Sequence, residues 1–433
     1  MRKFINLLLI VALVTVYLPA SIALAEPIEG TQQADQSEPT QNPEPIADPL
    51  NLQVRSAVLI DVETGQILYT KNENIPLPPA SVTKVMTMLI IMEAIEKGHA
   101  AWEDVVTTST KAHKMTGSVV FLADGEKASL RQMFEAVAVY SANDAAVALA
   151  EHIGGSEESF VNLMNEKAKE LGLSNTRFLN VTGLPYLAQY PNFNDPDGHI
   201  MSALDIAIIS TELVKKHPKV LEFTSTTFAT FQNGVDMPTR NNIILRNDWV
   251  DGLKTGFTDE AKYCLSATGQ KDGMRLVSVI MGAETDRVRQ DETLKLLNYG
   301  FSNFKKQTMV RGKDEIKIVK VDKGKEREVA LLAAQNLDLV IEKDASDDAY
   351  TQVIEIQESI VAPIEANMVL GKLYYEKDGV AVGQPIDLVA KEAVEKGGFF
   401  RLLVRGIKDT FFGVFDGIAD KLLGTFTKDD AEK

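Results

Sequence analysis

The residues best placed to do chemistry are Ser81 and Lys84, in the stretch P-P-A-S-V-T-K-V-M-T at 78–87. A small polar break there precedes a long run of apolar and helix-forming residues. On a helix, residues three apart share a face, so both side chains would point into one cleft from the first turn. A serine hydroxyl is a weak nucleophile at neutral pH and needs a base. A lysine serves only when burial or a neighbouring cation lowers its pKa. A serine at a helix N-terminus also has backbone N–H groups and the helix dipole close to any oxyanion that develops. The spacing alone also fits a helix cap followed by a solvated lysine. The same spacing recurs at Ser302-Asn303-Phe304-Lys305, which reads as the ordinary end of a helix.

Two further polar groups stand out against apolar surroundings. Tyr140-Ser141-Ala142-Asn143-Asp144 interrupts a helical run between Val137-Ala138-Val139 and Ala145-Ala146-Val147. A helix junction capped by Ser or Asn accounts for it equally well. Val250-Asp251-Gly252-Leu253 leads into Lys254-Thr255-Gly256, a strand-like run that also reads as a strand ending in a turn. Gly256 would let another backbone approach the strand edge. Lys254 and Thr255 would then be free to hold a carboxylate.

The elements that must position these groups are legible in the pattern. Residues 54–60 and 66–70 are β-rich runs joined by a short loop containing Gly65, a hairpin signature. A helix is predicted from Ser81. Residues 102–215 are mainly helical, with 130–153 carrying apolar residues at helical spacing. Strand-like runs return at 249–282, and a helix over 286–304 closes the unit. Strands from both ends of one domain around a helical insertion predict an α+β sheet built from distant pieces, a catalytic domain over 50–305. A small all-β domain is predicted over 306–390, from runs at 316–321, 337–341 and 353–356 and a hairpin turn at Asp378-Gly379.

The ends of the chain carry targeting signals. Residues 1–25 read as a secretory signal peptide: Arg2-Lys3, an apolar run over 4–18, and Ala23-Leu24-Ala25 before the cleavage point. The alternative is an uncleaved membrane anchor, against which the run counts by being shorter than the roughly 20 residues a span needs. Residues 26–49, rich in Pro, Gln, Glu and Asp, read as a disordered linker. Over 397–424, Phe400, Leu403, Ile407, Phe411, Val414, Phe415, Ile418 and Leu422 form one apolar stripe. Arg401, Arg405, Lys408, Asp409, Asp416, Asp420 and Lys421 lie largely off it. This predicts an amphipathic helix lying on a membrane surface, with packing against the β domain as the alternative.

Composition sets outer limits. A chain of 433 residues, 45% hydrophobic, is long enough for two or three domains. Its net charge of -16, about -18 once Arg2 and Lys3 leave with the leader, argues against a nucleic-acid-binding face. The single cysteine, Cys264, rules out an intramolecular disulfide framework and reads as a small buried hydrophobe. His99, His113, His152, His199 and His217 lack ligand spacing and read as structural or solvated. Asp195 and Asp197 form a turn before Ser202 with too few oxygen ligands for calcium. No metal and no cofactor is expected.

Taken together, S-x-x-K, then S-x-N about 60 residues later, then K-T-G more than 100 later, resemble the active site of the penicillin-recognising serine enzymes. Within that group A-S-V-T-K-V-M-T, Y-S-A-N-D-A-A-V-A-L-A-E, L-G-L-S-N-T-R-F-L-N-V-T-G-L and V-D-G-L-K-T-G-F-T resemble the D-alanyl-D-alanine carboxypeptidases, the low-molecular-mass penicillin-binding proteins. The resemblance covers roughly 50–305, and the following β domain and terminal helix also fit. It implies a β-lactamase/transpeptidase-like fold and an exported enzyme of cell-wall biogenesis on the outer face of the bacterial cytoplasmic membrane. Its substrates would be peptidoglycan stem peptides ending in D-Ala-D-Ala, and β-lactams would inhibit it.

Carried over by position, the resemblance makes Ser81 the acylated nucleophile and Lys84 its general base. Ser141 would relay a proton to the leaving D-alanine, and Asn143 would bind the substrate amide. Lys254 and Thr255 would bind the terminal carboxylate, with the charge of Lys254 helping to keep Lys84 neutral. The backbone N–H groups of Ser81 and Phe257 would form the oxyanion hole beside Gly256. Many relatives have Gly where Lys262 stands, a departure at the rim of the cleft. A class A β-lactamase would need a glutamate to activate water, and none lies between Glu170 and Glu212. Nothing in the sequence supports a catalytically inactive wall-binding scaffold.

Overall fold

The computed structural model describes residues 48–185, 198–346 and 348–398. The predicted leader, nearly all of the linker, the Asp195–Asp197 turn and the terminal helix lie outside these residues.

The first hairpin is present as β1 (Ser56–Asp61) and β2 (Ile67–Lys71). A 3-10 turn, Ala80–Thr83, then opens α1 (Lys84–Glu96). Ten of the thirteen residues of α1 are buried, as expected for a helix that is apolar on every side. The helical region follows, with β3 (Val105–Thr107), α2 (Thr110–His113), β4 (Lys127–Ser129) and α3 (Leu130–Glu135). A capping box starts α3: the Ser129 hydroxyl accepts from Gln132 N–H, and the Gln132 side chain accepts from Ser129 N–H. The helical run over 130–153 is interrupted where the polar group stands. Residues Ala136–Tyr140 widen into a π turn, Ser141 takes a left-handed conformation, and α4 (Asn143–Gly154) begins anew. The polar triplet won locally over the apolar period.

Helices α5 (Glu157–Glu170), α6 (Ala203–Lys216) and α7 (Val220–Thr224) complete this region with β5 (Phe228–Thr230) and β6 (Asp236–Pro238). The chain then returns to the sheet as β7 (Val250–Thr258), β8 (Lys262–Lys271) and β9 (Met274–Ala283), followed by α8 (Asp286–Asn303). The sheet is antiparallel with order β2-β1-β9-β8-β7, so distant strands do share it and β7 forms one edge. Both faces are covered. Along β1, Val58 and Ile60 join the core built on α1 and α4, whereas Ala57 and Leu59 join the core under α8. That alternation follows from the two-residue side-chain period of a strand.

Beyond α8 the elements among the described residues are all strands: β10 (Phe304–Val310), β11 (Glu315–Lys320), β12 (Glu328–Ala333), β13 (Leu337–Glu342), β14 (Thr351–Ile356), β15 (Val369–Lys377) and β16 (Val380–Ala390). They pair as β10-β13 and β11-β12-β16-β15-β14. Asp378 and Gly379, both at positive φ, make the tight turn between β15 and β16 that their types predict. The Gln66 side chain ties this part to the first sheet, donating to Val340 O at 2.9 Å and accepting from Val340 N–H at 2.6 Å.

Candidate active site

Ser81 sits on the 3-10 turn rather than on the α-helix proper. In a 3-10 turn, side chains three apart eclipse, which sets Ser81 directly over Lys84. Ala80, at the start of the turn, lies in the left-handed region, at φ +49°. Lys84 has no exposed surface. Its Nζ lies 3.0 Å from Ser81 Oγ, 2.7 Å from Asn143 Oδ1 and 3.0 Å from Thr182 O. Burial lowers its pKa from 10.5 to about 7, and the negative charge of Asp144 opposes that shift.

Those contacts have a chemical consequence. Asn143 Nδ2 donates to Thr116 O at 2.7 Å, so the amide is oriented with Oδ1 toward the lysine. Two acceptors, Asn143 Oδ1 and Thr182 O, therefore take two N–H groups of Lys84. A neutral amine has only those two to give, which leaves its lone pair facing the Ser81 hydroxyl.

The break at 141–142 aims the next group. Left-handed Ser141, at φ +70°, closes the π turn, and its buried Oγ has no hydrogen-bond partner among the described residues. Asn143 N–H donates to Ser118 O at 2.7 Å. The Asp144 carboxylate accepts from Val120 and Leu122 N–H, securing the loop that flanks Asn143. Burial raises the pKa of Asp144.

On the other side runs edge strand β7. Lys254 is buried, and its Nζ donates to Thr255 O at 2.9 Å. Its pKa is held well below the usual lysine range, first by burial and then by the charges of Lys84, Arg289 and Arg240. For both lysines burial is the largest cause. A side chain at Gly256 would bring its Cβ within 2.8 Å of Pro79 O and 3.1 Å of Ser81 N. The absence of one lets β7 close on the Ser81 turn. Phe257 is half exposed and stacks on Tyr263 with ring centroids 4.4 Å apart. Lys262 takes φ +58°, a conformation that favours glycine.

Sequence reasoning did not single out the segment 179–184 as part of the site. Asn180 Oδ1 accepts from Thr182 N–H, Thr182 Oγ1 and Gly183 N–H at 2.7–3.1 Å, folding a turn that presents Thr182 O to Lys84. The pattern N-x-x-G was the available signal. A Cβ at Gly183 would fall 1.8 Å from Ala80 O, so only glycine fits there. Ser302 is exposed at the end of α8, and Lys305 is exposed on β10. No cluster of three His, Cys, Asp or Glu side chains fit to hold a metal ion exists among the described residues.

An antiparallel sheet covered by helices on both faces, with S-x-x-K, S-x-N and K-T-G segments gathered beside its edge strand, is the architecture of the penicillin-binding proteins. The structure superposes on penicillin-binding protein 5 of Haemophilus influenzae with a TM-score of 0.71 and 32% identity, covering 80% of this chain and 98% of that one. Penicillin-binding protein D2 of Listeria monocytogenes in its ampicillin-bound form gives 0.52 and 31%, over 58% and 99%. The family model described as D-alanyl-D-alanine carboxypeptidase matches residues 41–285, and that of the penicillin-binding protein 5 C-terminal domain matches 304–396. The D-alanyl-D-alanine carboxypeptidase DacF of Bacillus subtilis is 40% identical over 361 residues, spanning 82% of this chain and 90% of its own length. DacA of Escherichia coli is 32% identical over 368 residues, 83% and 88%. The chain belongs to the D-alanyl-D-alanine carboxypeptidase family of serine peptidases.

Proposed function

We propose that Ser81 is the nucleophile of this carboxypeptidase and Lys84 its general base, acting on peptidoglycan stem peptides that end in D-Ala-D-Ala. The carrying observation is the set of three contacts on Lys84 Nζ, which leaves the lone pair of the neutral amine on the Ser81 hydroxyl. The substrate lies along edge strand β7 by strand addition, with its terminal carboxylate at Lys254 and Thr255. Ser81 Oγ attacks the carbonyl carbon of the last peptide bond and gives its proton to Lys84. The N–H groups of Ser81 and Phe257 hold the resulting oxyanion. As the C–N bond breaks, Ser141 Oγ relays the proton from Lys84 to the leaving amine, consistent with its lack of a partner among the described residues. Water then attacks the ester and frees the shortened peptide. Asn143 orients the peptide amide while holding Lys84. A β-lactam acylates Ser81 in the same way, but its leaving group stays tethered, so release is slow.

Incubation with a muramyl pentapeptide and with a labelled penicillin tests this reading. Wild-type protein is expected to release D-alanine and to gain one penicillin adduct by intact mass. A Ser81→Ala variant that still takes up label would overturn the assignment.

Export through the signal-like segment 1–25 and attachment of segment 397–424 to the outer face of the cytoplasmic membrane complete the proposal. The apolar stripe of that segment supports surface attachment. No helix among the described residues is long and apolar enough to cross a membrane. A chain ending at Lys396 is expected to remain folded and active and to stop sedimenting with membranes. Continued sedimentation, or unfolding, would count against the anchor.

A further inference from the structure

His199 is remote in sequence from every catalytic motif, yet it sits directly behind the Ser81 turn. It is buried, as is Thr83, and it packs edge-on against Phe178 with ring centroids 5.7 Å apart. Leu179 N–H donates to its Nδ1 at 3.2 Å. An accepting Nδ1 places the ring proton on Nε2, which donates to Thr83 Oγ1 at 2.8 Å. The Thr83 hydroxyl in turn donates to Ala80 O at 2.9 Å. Every donor and acceptor along this chain is used once, and burial holds the ring neutral, with its pKa lowered to about 3.

The two ends of the chain meet the two halves of the catalytic pair. Ala80 immediately precedes Ser81 and is kept at φ +49°, a conformation that costs an alanine about 1 kcal/mol. Leu179 immediately precedes Asn180, whose turn delivers Thr182 O to Lys84. One imidazole therefore braces the strained backbone beneath the nucleophile and the loop that anchors its base.

We infer that His199 is a positioning residue for the acylation step, locking Ser81 and Lys84 in mutual register through Thr83 and Leu179. This rests on Ser81 being the nucleophile. Loss of the link to the turn should slow the chemical step while leaving the non-covalent affinity for ligand nearly unchanged, because no group that touches the substrate is altered.

The test is stopped-flow acylation by a labelled penicillin, resolved into a dissociation constant and a first-order acylation rate. His199→Asn keeps an acceptor for Leu179 N–H but has no donor that reaches Thr83. It is expected to lower the acylation rate roughly 10- to 100-fold, the range for misplacing reacting groups by about 1 Å. His199→Gln restores an amide donor near the Nε2 position and is expected to recover most of the rate. Thr83→Val breaks the same link from the other end, so its loss should match that of His199→Asn, and the double variant should lose no more than either alone. Wild-type rates in His199→Asn and Thr83→Val would overturn the inference, as would additive losses in the double variant. Equal damage in His199→Gln and His199→Asn, accompanied by a lowered Tm, would show that the ring merely fills space. Should His199→Asn not fold, Thr83→Val decides by the same criterion. Label persisting in Ser81→Ala would instead mark failure of the nucleophile assignment, a separate result.

Discussion

The chain contains two S-x-x-K segments of identical spacing and opposite character. At Ser81 and Lys84 the backbone stays helical from one residue to the other, and the lysine is wholly buried among Asn143, Thr182 and Ser81. At Ser302 and Lys305 the backbone changes from helix α8 to strand β10 between the two residues, and both are exposed. A spacing of three puts side chains together only if the segment is helical throughout. It makes a base only if the rest of the molecule takes water away from the lysine. The first segment meets both conditions and the second meets neither.

The largest difference should come from deleting each hydroxyl. Ser81→Ala is expected to abolish D-alanine release and penicillin labelling, and Ser302→Ala to leave both at wild-type level. Label surviving in the first variant, or lost in the second, would erase the contrast.

The next effect is in pH. Lys84 is a base only when neutral, and its pKa is lowered to about 7. Acylation should therefore rise with pH through about 7 and level off above it. Below 7 the rate falls close to tenfold per pH unit. A rate of acylation flat from pH 5.5 to 8.5 would remove Lys84 as the base. The same depression makes stability rise with pH: between about 7 and the usual lysine range the unfolded chain holds the proton and the folded one does not.

A smaller change is expected in selectivity. Lys254→Ala should lose preference for a free over an amidated peptide C-terminus, by a factor on the order of 10 to 100, as the charge-assisted contact disappears. Equal preference in the wild-type protein would show that the carboxylate is read elsewhere.

The smallest effect lies at the cleft rim. Lys262 holds φ +58° where glycine is favoured, so Lys262→Gly should stabilise the fold by about 1 kcal/mol or less, with kcat and the Ser81 labelling rate unchanged. A lowered Tm would show that the lysine side chain contributes more than its backbone strain takes away.

Much of this was legible in residue order. The β1–β2 hairpin, the strands β7 to β9, the Asp378-Gly379 turn and the polar interruption at 141–143 all declare themselves through local periodicity and turn chemistry, which depend on near neighbours. Local pattern failed where a neighbour's competing preference intervened. The interruption across 130–153 was visible, but not its form, a π turn closed by left-handed Ser141 with a fresh helix start at Asn143. The helix expected from Ser81 opens as a 3-10 turn, with Ala80 left-handed at its start and its carbonyl where a Gly183 side chain would stand.

The amino-acid order settled which groups are present: a serine, two lysines and a serine–asparagine pair, each on an element its own neighbours specify. It did not settle what those groups are chemically. Lys84 is an ordinary lysine by type, and its lowered pKa comes from burial beneath α4 and the turn at 180–183. Thr182 lies 98 residues from it, and His199 lies 116 residues from Thr83. Desolvation and hydrogen-bond partnership are properties of whatever is adjacent in space, and adjacency across such separations exists only once the sheet has brought its distant strands together.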